Sequence, residues 1–126
     1  MVQADISQLS GECNTWRESL RSYRDELNQC KQNLQRIAGQ PLSKGQLQDV
    51  EHYHNQFHIQ LINIHDLKQA IKSHDRRVNF EMNAHSGQLT EETIHDHENL
   101  YEQYVSLEHT LHGLRDKFKN FVDRSN

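Results

Sequence analysis

The sequence predicts an all-α protein, an elongated three-helix antiparallel (up-down-up) bundle with coiled-coil-like packing, and three observations carry that prediction. Between Ile6 and Ile37 the apolar residues fall at Ile6, Leu9, Cys13, Trp16, Leu20, Tyr23, Leu27, Cys30, Leu34 and Ile37, alternately three and four apart without a miss. Such spacing keeps one stripe of a helix facing a partner along its whole length. Five Gly and one Pro in 126 residues leave few places to break a helix. Only 33% of residues are hydrophobic and the mean hydropathy is −1.00, which suits rods that each bury a thin stripe. The length fits one domain, residues 1–126.

Helix 1 is expected over about residues 5–38, opened by a capping box of Asp5 with Gln8 and closed by Gly39 with Pro41 beyond it. With Ile6 at heptad position a, its g positions read Asp5, Glu12, Ser19 and Glu26, and its e positions Ser10, Arg17, Arg24 and Lys31. In a parallel pair of such helices Glu12 meets Arg17 and Glu26 meets Lys31. Self-association through Cys13, Trp16, Leu20, Tyr23, Leu27 and Cys30 is therefore expected of helix 1. In an intramolecular antiparallel pairing with helix 2, by contrast, Arg17 and Arg24 face His65 and His58.

Helix 2 is expected over about 43–86. Ser43 and Gln46 form a capping box, Leu42 and Leu47 a hydrophobic staple, and the next breakers are Ser86 and Gly87. Val50, Phe57, Ile64, Ile71 and Val78 recur every seventh residue, but the companion row splits between Leu47, Leu61, Met82 and Tyr53, Leu67. So broad a face fits the middle helix of three. Lys68 and Asp75 read as charged residues in seam slots. Helix 3, about 90–123, opens at Thr90 with Glu91 and Glu92 in its first turn and Leu89 and Ile94 as its staple. Leu100, Tyr104, Leu107, Leu111, Leu114, Phe118 and Phe121 then resume the alternation. The three-helix layout with a Trp in its first helix resembles the spectrin-type bundle in architecture, with no motif that assigns the chain to that family.

The net charge of −4 supplies no basic field for nucleic acid or an anionic membrane. No apolar run reaches the roughly 18 residues of a membrane span, and Met1 to Ala4 lack a signal-peptide pattern, so a cytoplasmic protein is expected. Cys13 and Cys30 stand roughly 25 Å apart along one helix, beyond disulfide reach.

Ten histidines are the compositional oddity: His52, His54, His58, His65, His74, His85, His95, His97, His109 and His112. His54 and His58 at i and i+4, with Glu51 and His65 on the same flank, can grip Zn²⁺ or Cu²⁺. No HExxH motif occurs, and no cysteine joins any histidine group. Glu51 with His54 and Glu92 with His95 spell Glu-x-x-His, but they sit near opposite ends of the rod. The expectation is therefore no metal, cofactor or catalytic residue, with most histidines at the surface and His54 and His97 partly buried in seam slots and hydrogen-bonded. With neither a nucleophile elbow nor a phosphate loop, the sequence points to a non-enzymatic structural or protein-interaction module. Its partner is expected to be another protein or a second copy of itself. The alternative is a histidine-rich metal-binding or metal- and pH-responsive bundle.

Overall fold

The computed structural model describes residues 6–84 and 88–125. It consists of α1 (Ile6–Ala38), α2 (Lys44–Ala84) and α3 (Glu91–Ser125), joined by short connections into an up-down-up bundle. At about 1.5 Å per residue, α2 with its 41 residues is roughly 60 Å long and the longest element. It packs against both neighbours, most extensively against α1, whereas the α1 and α3 backbones approach each other least. Among the described residues no helix is long and apolar enough to cross a membrane.

The expected boundary signals are visible as hydrogen bonds. Gly39 N–H reaches the carbonyls of Gln35 and Arg36 at 3.2 and 3.3 Å, which closes α1. Ser43 and Gln46 form a reciprocal capping box: Gln46 N–H donates to Ser43 Oγ at 3.2 Å and Ser43 N–H to Gln46 Oε1 at 2.9 Å. Leu42 packs on the core but Leu47 is 51% exposed, so the box opens α2 without a buried staple. Thr90 Oγ1 accepts from Thr93 N–H at 3.2 Å and caps α3. Asp5, Ser86, Gly87 and His85 lie outside the described residues, and with them the first capping box and the expected break after α2.

Burial alternates in threes and fours on every helix. On α1 it follows the predicted seam, with Tyr23 and Cys30 only partly covered. On α2 the buried row is Tyr53, Phe57, Gln60, Ile64, Leu67, Ile71, His74, Val78 and Glu81. That row corrects the split companion face: the missing slots are filled by Gln60, His74 and Glu81, which an apolar pattern cannot register. Lys68 and Asp75 flank the row half-buried, next to Leu67 and His74, and do not occupy it. On α3, Thr93 and His97 extend the row of Leu100, Tyr104, Leu111, Leu114, Phe118 and Phe121 toward the helix start, while Leu107 is only half-buried.

The core is thus graded along the rod. At the end where α1 meets α2, Tyr53, Phe57, Phe118 and Phe121 stack with centroids 4.9 to 6.2 Å apart, matching the expected pairing of the start of helix 2 with the end of helix 3. At the opposite end, where α2 turns into α3 beside the start of α1, four polar residues, His74, Glu81, Thr93 and His97, share the core with Leu9 and Val78.

Candidate functional site

The polar end of the core gathers one residue from each helix around a single point. Cys13 of α1, His74 of α2 and His97 of α3 are all buried, and their sulfur and nitrogen ligand atoms lie within 4.8 Å of one another. His74 Nε2 and His97 Nδ1 are 2.9 Å apart, and His97 Nε2 is 3.0 Å from Glu12 Oε2. An ionised carboxylate only accepts, so His97 carries its proton on Nε2 and donates it to Glu12. In a neutral His97 this leaves Nδ1 as a lone pair, to which His74 Nε2–H donates across 2.9 Å. Burial, followed by the neighbouring His97, pushes His74 below the usual imidazole range.

The surroundings hold this geometry in place. Trp16 lies over the His97 ring with centroids 4.8 Å apart. Asp75, beside His74 in the chain, accepts a hydrogen bond from Ser10 at 2.9 Å and stands 3.9 Å from Arg17, tying α2 to α1. Burial raises the Cys13 thiol to about 12, with the charges of Asp75 and Glu12 adding to the effect, so it stays protonated in the absence of a cation. Its packing makes it unreactive. Its position beside two imidazoles makes it a ligand candidate.

Two further polar knots brace the bundle. Glu81, in the last full seam slot of α2, accepts from Thr90 N–H at 2.9 Å, from Arg77 Nε at 3.0 Å and from the Thr93 hydroxyl. In an ordinary capping box a side chain three residues into the helix reaches back to the cap N–H. Here that position is Thr93, and the carboxylate comes from the preceding helix. Arg77 extends the knot to Asp96 at 3.0 Å and Glu92 at 3.4 Å. Midway along the rod, the Tyr23 hydroxyl is 2.8 Å from both Glu108 Oε2 and His112 Nε2, and Tyr104 donates to the same Glu108 at 3.1 Å. Arg115 meets Glu26 at 3.2 Å.

These contacts revise how α1 uses its charges. Glu12 and Glu26, expected to seek Arg17 and Lys31 of a second copy, reach His97 and Arg115 of α3 instead. Arg17 stands by Asp75, not His65. The six expected self-association residues pack inside the chain: Cys13, Trp16, Leu20 and Leu27 are buried, and Tyr23 and Cys30 are partly covered by the same core. His97 is buried and hydrogen-bonded as expected, but His54 is exposed, as are His52, His58 and His65. The expectation that no cysteine joins a histidine group is overturned by Cys13. His74 was not separable from the other histidines by periodicity, because its slot was assigned to Asp75.

The outer surface has a second feature. Between α2 and α3 runs an open trough of about 800 Å³, whose lining includes Gln60, Asn63, Leu67, Gln103, Ser106 and Leu107. Ile59 and Ile62, 46% and 47% exposed, stand one turn from Asn63 and Asp66 on the α2 wall. Among the residues whose burial is described, the large hydrophobics left exposed are on α2 and α3, with none on α1 between residues 8 and 38. Comparison with protein-family models, with curated proteins and with solved structures finds no match.

Proposed function

We propose that the chain is a non-enzymatic docking module whose partner surface is the α2–α3 face, where a helix of another protein lies in the trough. The observation that supports this reading is the combination of an open channel between two helices with Ile59 and Ile62 exposed on α2, one turn from the lining residues Asn63 and Asp66. Two neighbouring helices with an unfilled groove offer a seat for a further helix, which buries apolar residues at helical spacing against Leu67, Leu107 and the two isoleucines. The carboxamides and hydroxyls of Gln60, Asn63, Gln103 and Ser106 supply hydrogen bonds that select for polar residues on that helix. The proposal includes a cytoplasmic setting, for which the two unpaired thiols are the support.

Association of two copies through α1, the pairing favoured by its seam charges considered alone, would require α1 to leave its own bundle. The α2–α3 face needs no such opening.

A photo-crosslinking amino acid placed in turn at Ile62, Ser106 and, as a control on the outer face of α1, Arg21 tests the reading in cells that make the protein. The expected result is one discrete adduct from the first two positions and none from the third, lost when Ile59→Glu is added without a change in melting temperature. Equal labelling from all three positions, or adducts that survive Ile59→Glu, would overturn it.

A further inference from the structure

We infer that Cys13, His74 and His97 form a binding site for a divalent cation of the zinc class, one ligand from each helix. The three side chains come from distant parts of the sequence yet converge within 4.8 Å inside the core. A thiolate with two imidazoles is a donor set suited to Zn²⁺ and Co²⁺ and poorly suited to Mg²⁺ or Ca²⁺, which take oxygen. The contact of His97 Nε2 with Glu12 at 3.0 Å repeats the arrangement in which a ligating histidine donates its other ring N–H to a carboxylate. It leaves Nδ1 as the coordinating atom.

The geometry requires only a small adjustment. Around a tetrahedral zinc, with bonds of about 2.0 to 2.3 Å, neighbouring ligand atoms stand about 3.3 to 3.6 Å apart. The His74 to His97 contact of 2.9 Å must open slightly, while the widest separation of the three closes from 4.8 Å. Three protein ligands leave a fourth position for water.

Binding exchanges protons for metal. The Cys13 S–H bond breaks as the sulfur–metal bond forms, and that proton passes to bulk water. His74 moves its proton from Nε2 to Nδ1 through solvent, freeing Nε2 as a lone pair with no net release. The site therefore gains one positive charge per cation. Glu12 and Asp75, both close enough to act on the Cys13 sulfur, offset it. Because the ligands come from α1, α2 and α3, the cation locks the three helices together at the polar end of the bundle.

The test titrates Co²⁺ into the reduced, chelator-treated full chain. The expected result is saturation at one equivalent, with a near-ultraviolet thiolate-to-cobalt charge-transfer band and the visible bands of tetrahedral cobalt. The band should vanish in Cys13→Ser and in His74→Gln, and persist in Cys30→Ser and in the double variant His54→Ala, His58→Ala. Zn²⁺ at about a hundredfold over its dissociation constant should raise the melting temperature by roughly 10 °C. X-ray absorption of the zinc-loaded wild type, which depends on no variant folding, should find one sulfur in the first shell. Absence of sulfur there, or a cobalt band that survives Cys13→Ser, would overturn the assignment.

Discussion

Replacing Glu81 by Gln removes a charge while keeping nearly the same volume, and so isolates the carboxylate that joins α2 to the start of α3. Burial alone would raise its pKa, yet hydrogen bonds from Thr90 N–H, the Thr93 and Thr90 hydroxyls and Arg77 outweigh burial and hold it at about 2, against an ordinary 4.5. At about 1.4 kcal/mol per pKa unit, that depression is an advantage of at most about 3 kcal/mol for the charged, folded form. Arg77 is 40% exposed and keeps Asp96 and Glu92, so little of this comes from its ion pair. The larger share lies with Thr93, which is fully buried and whose hydroxyl loses a charged acceptor. Glu81→Gln is therefore expected to destabilise the fold by about 2 to 3 kcal/mol near neutral pH. Because the folded pKa is depressed, this stabilisation is complete above about pH 4.5 and is lost as pH falls toward 2. Urea denaturation followed by far-ultraviolet circular dichroism, run at about pH 7 and about pH 2, measures both effects. A gap below about 0.5 kcal/mol at neutral pH, or one equally large in acid, would refute the reasoning.

Leu20→Ala, at a site with no exposure, should cost about 3 to 5 kcal/mol, and Leu107→Ala, beside the open trough, less than about 2; equal losses by chemical denaturation would place Leu107 in the closed core. Tyr23→Phe removes the donor to Glu108 and should lower stability by about 0.5 to 1.5 kcal/mol in the same assay, since Tyr104 still donates to that carboxylate. In the metal-free native protein, a thiol-labelling reagent at about pH 8 should modify Cys30 first, with Cys13 reacting only as the whole chain unfolds. Simultaneous fast labelling of both would mean that α1 leaves the bundle readily. Ile59→Glu with Ile62→Glu should leave the melting temperature within about 4 °C of wild type, because both are surface substitutions worth about 0.5 kcal/mol or less each.

The number of helices and their approximate bounds were legible in the amino-acid order because local chemistry sets them. The alternation from Leu9 to Ile37 marks a buried stripe, and Ser43 with Gln46 and Thr90 with Thr93 satisfy helix-start donors using residues three apart. Gly39 and Pro41 stop α1 for equally local reasons. Periodicity put His54 and His97 alike in seam slots, and tertiary structure decided that only His97 of the two is buried and that His74, Gln60 and Glu81 join it in the core. Nothing local distinguishes His97 from His54, which faces water, and His74 stands beside Asp75 in the slot that periodicity leaves ambiguous. The burial of His74 and His97 depends on the register between antiparallel helices, a sum of contacts along the whole rod, and that register sets Arg17 beside Asp75 and not His65. The same register brings Cys13 to the two imidazoles and Glu81 to the cap of the next helix. It also sets Glu12 beside His97 and Glu26 beside Arg115, because the up-down-up packing brings that flank of α1 against α3.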